Sequence, residues 1–244
     1  MESNLTFLLG GLLGDFFSQL NVVYCMCKSR QIKAIVYIAD IGDAFRHGLE
    51  RAFTDLYPIV TAQEYIEEFR LCLEPLSVPH GTINVSEWRN SPFLGQANLF
   101  TIYNHMFGVP WSIEPCLKMK IDEQYKDCVL LHCSCRRLPS LDLVHKIIDA
   151  YKTKISFVSE NPHEYEAFCQ TFGARIPIKH VSSLYELVVA IASCKLFVGN
   201  LSSPLAIAHN LHKDNLTLLS PSNSSDDIHC KNMSIYNLSI RLLQ

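Results

Sequence analysis

The sequence predicts an α/β protein of two Rossmann-like lobes, each a parallel sheet covered by helices. Three observations predict it. Short β-prone apolar runs alternate with amphipathic helical stretches in both halves of the chain, and that alternation makes parallel sheets. Small, glycine-bearing turns lead from a strand directly into a helix near each end of the series, at Gly10 to Asp15 and at Gly199 to Ser203. Between the two series lies a proline-marked stretch without regular periodicity.

Taken in order, residues 4–9 read as a strand, the turn Gly10 to Asp15 follows, and residues 15–28 read as a helix with Phe17, Leu20 and Tyr24 on one face. A strand at 33–39 (KAIVYIA), a helix at 43–55, a short strand around Pro58 to Thr61 and a helical piece at 62–72 continue the first lobe. Glu74 to Asn98 reads as a long loop of the kind that often carries function. A helix over LFTIYNHMF then leads through Pro110, Trp111 and Pro115 to the polar connection IDEQYKD. The second series runs strand 128–133, helix 140–151, strand 155–159, helix 162–172, strand 176–180, helix 183–193, strand 195–199, helix 203–212 and strand 215–219. The expected division is a first lobe over 1–115, a linker over 116–127, a second lobe over 128–221, and a tail over 222–244 that packs back on the first lobe.

Composition narrows the functional classes. With 48% hydrophobic and 18% charged residues the 244-residue chain has a sizeable core, and a formal charge of −3 gives no basic field for nucleic acid or an anionic membrane surface. No apolar run is long enough to span a bilayer, and Glu2 with the early glycine turn does not form a secretory signal, so a cytoplasmic location is expected. The 10 cysteines are scattered through apolar segments and read as reduced core thiols. Cys25-x-Cys27 and Cys133-x-Cys135 are not the C-x-x-C hooks of structural zinc, and no D-x-D motif is present; neither metal nor cofactor is expected.

The chemistry concentrates at strand ends. In KLFVGNLSSPLAIAHNLH an apolar strand ends at Gly199 and Asn200, and Ser202 or Ser203 can cap a helix whose first turn offers backbone N–H groups and the positive end of its dipole to an anion. The same residues suit an ordinary capped helix. Gly14 and Asp15 stand at the other such junction, where Gly14 is a candidate contact to a donor diphosphate and Asp15 is either a crevice carboxylate or a simple N-terminal cap. The turn fits neither the dinucleotide fingerprint nor the nucleoside-triphosphate loop. Arg136 and Arg137, just after a strand, match the oxygens of a diphosphate or lie as solvated surface charge. Glu160, ending another strand, can accept hydrogen bonds from a ribose diol or cap the next helix. Trp88 and Arg89 can stack on and hydrogen-bond a polar ring, or plug the domain edge. Ligands in open α/β sheets sit beyond the carboxyl ends of the strands, so these loops are expected to line a crevice between the lobes.

Together, GGLLGDFFSQL and FVGNLSSPLAIAHNL resemble the two signature loops of the GT-B glycosyltransferases, in the ADP-heptose:lipopolysaccharide heptosyltransferase-like group, glycosyltransferase family 9. The resemblance covers both lobes in outline and two loops at motif level. It implies that Asp15, matching the family's G-D acid, is the base that deprotonates an acceptor hydroxyl. Ser203, Leu205 and Ala206 match the S-H-L-A part of the donor-phosphate loop, while Gly199 and Asn200 replace the usual Asp-Thr and Pro204 replaces its His. By element order, Arg136 or Arg137 falls where a basic residue stabilises the leaving diphosphate, and Glu160 near the acid that holds the donor ribose. The activity implied is inverting, metal-independent transfer from a nucleotide sugar to a glycan or other hydroxyl acceptor. The chain is short for this architecture, which keeps in view a non-catalytic nucleotide-sugar or glycan-binding module and, from another class, a sugar-nucleotide epimerase.

Overall fold

A computed structural model of the chain describes residues 4–42, 45–74, 77–134, 138–219 and 240–243, the last for their backbone. It divides into two compact units, Met1–Lys118 and Met119–Gln244.

In the first unit, β1 (Asn4–Gly10), α1 (Leu13–Arg30), β2 (Lys33–Ala39), α2 (Leu49–Val60), β3 (Ile66–Leu71) and a two-residue β4 (Ile83–Asn84) form a parallel sheet of order β3-β2-β1-β4. β1 and β2 pair in register from Asn4↔Lys33 to Gly10↔Ala39. Both neighbours of β1 are strands, so its Phe7 and Leu9 are fully buried, as are Val36 and Ile38 of β2. Phe16, Phe17 and Leu20 of α1 and Leu56 and Ile59 of α2 are also fully buried.

Two expectations are corrected here. The helix expected over 43–55 is α2, which runs on to Val60 with Pro58 inside it, so no strand forms around 58–61; residues 43–44 lie outside the described residues. Residues 66–71, expected to be helical, form β3. The reason is a β-bulge: Ala34 pairs Ile66 but Ile35 pairs Glu68, so Glu67 is an extra residue. Ile66 and Phe69 thereby face the same side three positions apart, a spacing that mimics a helix. The loop expected over Glu74 to Asn98 contains β4 and a 3-10 turn, Val85–Asn90, before α3 (Leu99–Phe107).

In the second unit, β5 (Val129–His132), α4 (Leu141–Tyr151), β6 (Ile155–Ser159), α5 (Pro162–Phe172), β7 (Ile178–His180), α6 (Leu184–Ser193), β8 (Leu196–Asn200), α7 (Ser203–Asn210), β9 (Asn215–Leu218) and β10 (Ile240–Leu243) follow the expected alternation. All pairings are parallel and the order is β10-β9-β8-β5-β6-β7. This is the doubly wound order, with its reversal between β5 and β8. Val129, Leu131, Phe157, Phe168 and Val198 centre one core cluster, while Leu130 and Phe197, alternate in their strands, are equally buried. Side-chain caps set the helix starts: Ser140 accepts from Leu143 N, Asn161 from His163 N and Ser183 from Glu186 N. Of the tail, residues 240–243 form the edge strand beside β9, and 220–239 lie outside the described residues.

The described cysteines are free thiols. Burial pushes Cys25 up to about 11 and Cys27 and Cys194 up to about 12, which keeps them protonated at neutral pH.

His209, buried near the end of α7, has its pKa lowered from 6.5 to about 3, first by burial and then by His212, against a raising hydrogen bond with Asn215. It is therefore neutral in the folded chain, whereas the unfolded chain binds a proton below its ordinary value. Its contribution to stability is complete above pH 6.5 and is lost as pH falls from there toward 3. In urea unfolding, the stability difference between pH 7 and pH 5 is expected to shrink by about 2 kcal/mol in His209→Gln. An unchanged difference would place the acid sensitivity elsewhere.

Candidate active site at two strand ends

In the first unit the sheet order changes direction between β1 and β4, and the residues beyond their carboxyl ends meet. α1 begins with Leu12 as its extended N-cap, and the Asp15 carboxylate reaches back so that Oδ2 accepts from Leu12 N at 3.0 Å. The capping role open to Asp15 is thus real. The same oxygen accepts from Arg89 Nη2 at 2.5 Å, in an ion pair whose side chains are 25% and 34% exposed. Arg89 comes from the 3-10 turn after β4; that turn is started by Asn84, whose side chain accepts from Ser86 N.

One turn along α1, the fully buried Gln19 fixes the end of β1. Its Oε1 accepts from Gly10 N at 3.1 Å and its Nε2 donates to Gly10 O at 2.7 Å. Gly10 itself has no room for a side chain, because a Cβ would press on Ala39 O at 2.5 Å.

Trp88, expected either to stack on a ligand ring or to plug the domain edge, is only 5% exposed. Its ring seats the Arg89 guanidinium, 4.7 Å from the centroid, and meets the edge of Tyr103 at 6.1 Å. Tyr103 in turn stacks on Trp111. Burial, and after it the Asp15 charge, raises the Tyr103 phenol well above its ordinary value, with Arg89 opposing. It is a neutral hydroxyl.

In the second unit the reversal lies between β5 and β8. Gly199 and Asn200 end β8, and Asn200 is fully buried. Its carboxamide closes on Ser134: Oδ1 accepts from Ser134 N at 2.9 Å and Nδ2 donates to Ser134 O at 2.8 Å. Asn200 is therefore a clasp on the loop after β5. That loop carries Arg136 and Arg137, which lie outside the described residues.

Ser202 is the extended N-cap of α7, but its hydroxyl donates back to Asn200 O at 2.9 Å and makes no cap hydrogen bond to the helix. Pro204 contributes no N–H, so Ser203 and Leu205 present the first-turn donors. Gly199 is a glycine by packing: a Cβ would meet Phe197 at 2.7 Å and His132 O at 3.2 Å.

Glu160 is exposed after β6. Its neighbour Glu164, which sequence reasoning passed over, has the more elaborate setting. Its Oε2 accepts from Ser159 Oγ at 2.5 Å and lies 3.3 Å from Nε2 of the buried His132, tying the ends of β5 and β6 together. The signal available was its place one turn inside an Asn-Pro helix start. Among the described residues no group of three or more His, Cys, Asp or Glu is placed to hold a metal ion.

With this geometry established, comparison with known proteins defines the class. No family model and no curated protein sequence matches the chain. Solved structures do. A family 9 glycosyltransferase from Veillonella parvula is similar over 99% of this chain and 86% of its own, at 13% identity and a TM-score of 0.60. The Escherichia coli heptosyltransferase WaaC, solved with ADP, is similar over 98% and 92%, at 11% identity and 0.61. The E. coli ADP-heptose lipopolysaccharide heptosyltransferase II is similar over 98% and 90%, at 13% and 0.58. The chain has the GT-B fold of these glycosyltransferases. No described helix is long and apolar enough to cross a membrane.

Proposed function

We propose that the protein is an inverting glycosyltransferase that moves a sugar from a nucleoside-diphosphate sugar to a hydroxyl acceptor without a metal ion. The observation that carries this reading is the pairing, within one GT-B chain, of a carboxylate at the first switch point with a helix N-terminus at the second. The first unit, with Asp15, serves the acceptor; the second serves the donor, whose diphosphate Gly14 also contacts.

The acceptor oxygen attacks the anomeric carbon as the bond from that carbon to the diphosphate oxygen breaks. Asp15 takes the hydroxyl proton, and the nucleoside diphosphate leaves with the bonding electron pair. Negative charge growing on the leaving group is met by the Ser203 and Leu205 N–H groups, the α7 dipole and Arg136 or Arg137. Ser202, Gly199 and Asn200 shape that loop, and Glu160 holds the nucleoside.

The reading is tested by thermal shift with nucleoside diphosphates and their sugars, beginning with ADP, the nucleotide held by the similar WaaC structure. A true donor nucleotide at one hundred times its dissociation constant is expected to stabilise the fold by about 2.7 kcal/mol. Stabilisation without release of nucleoside diphosphate on adding acceptors identifies a non-catalytic binding module, and no response to any nucleotide overturns the donor assignment.

A further inference from the structure

We infer that Arg89 is the positioning residue for the Asp15 carboxylate, and that Gly11 is glycine in order to seat its guanidinium; this rests on Asp15 being the base of the proposed transfer.

Two side chains 74 positions apart meet with little latitude. A Cβ on Gly11 would overlap Arg89 Nη2, with Cζ and Nη1 next at 3.0 Å, so the guanidinium lies against the bare glycine backbone. Gly11 also has a φ of +99°, which a side chain disfavours. Beneath the guanidinium lies the Trp88 ring, itself part of the core. Nη1 is buried with no hydrogen-bond partner among the described residues, so the fork is not simply spread into solvent.

The result is a carboxylate whose Oδ2 is held by Leu12 N and Arg89 Nη2 together. Two donors on one oxygen fix the plane of the group, and the adjacent cation favours its ionised form. An exposed ion pair needs none of this construction. Among the described residues, Arg89 from the turn after β4 and Tyr103 from α3 face the carboxylate, and Glu87 of the same turn is engaged by Asn84 and Asn90.

Arg89 as an acceptor ligand and Arg89 as a positioning residue differ in what its loss changes. In Arg89→Gln, positioning predicts that the acid limb of the kcat profile rises by about one pH unit, with kcat falling roughly tenfold or more and acceptor KM nearly unchanged. Arg89→Lys keeps the charge and is expected to restore the acid limb but only part of kcat. A raised acceptor KM with an unmoved acid limb overturns the inference.

Gly11→Ala should reproduce the Arg89→Gln profile, and the double variant should lose little more than either alone. Should Gly11→Ala fail to fold, the carboxyl-carbon NMR titration of Asp15 in the wild type and in Arg89→Gln decides the matter. An upward move supports the inference and an identical titration overturns it. This titration needs no turnover, so a chain that transfers no sugar defeats the transferase reading while the Arg89 assignment is still judged.

Discussion

Asp15→Asn is expected to cut sugar transfer about a thousandfold while leaving nucleotide binding within about twofold of the wild type, since general-base contributions run to ~10²–10⁴. Asparagine keeps an oxygen for the Leu12 N–H but cannot accept the acceptor's proton. The loss cannot be put down to unfolding. The Asp15–Arg89 pair is a quarter to a third exposed, and pairs so placed contribute about 1 kcal/mol or less to stability. The end of β1, just before α1, is also held independently through Gln19. Initial rates with saturating donor, alongside nucleotide titration by thermal shift, check both halves. A variant that turns over donor at the native rate sinks the base assignment.

The second large effect is expected at Asn200. Asn200→Ala removes both hydrogen bonds to Ser134 and opens space at a fully buried position, leaving a backbone donor and acceptor unsatisfied. Each such group costs about 1–3 kcal/mol, so a total loss of about 3 kcal/mol in unfolding free energy is expected. The nucleotide-dependent rise in melting temperature should fall tenfold in apparent affinity or vanish, because the loop after β5 loses its anchor. Asn200→Asp is the harsher change, turning the donor that faces Ser134 O into a second acceptor. Retention of full nucleotide stabilisation in Asn200→Ala would show that the clasp shapes the fold and not the donor site.

Periodicity and caps carried most of the second unit. Residues 155–159 and 162–172 were legible because a short run built on Ile155, Phe157 and Val158 meets Asn161-Pro162, a helix start with a mechanism. The first unit was less legible for a local reason: the Glu67 bulge put Ile66 and Phe69 at helical spacing, and the two-residue β4 offers no period at all. At the site, Asp15 and the α7 start could be found because glycine-bearing turns mark strand ends. What Arg89 and Asn200 do could not. Their partners lie 74 and 66 positions away, and nothing local distinguishes an asparagine that clasps a loop from one that meets a ligand.

The clasp itself occurs twice. Gln19 on Gly10 and Asn200 on Ser134 each close both backbone hydrogen bonds of one strand-end residue with a single buried carboxamide, and each does so within its own unit. Each turn is thereby fixed by a carboxamide of its own unit. Recombining homologous halves at the division after Lys118 is therefore expected to carry each turn over together with the carboxamide that shapes it.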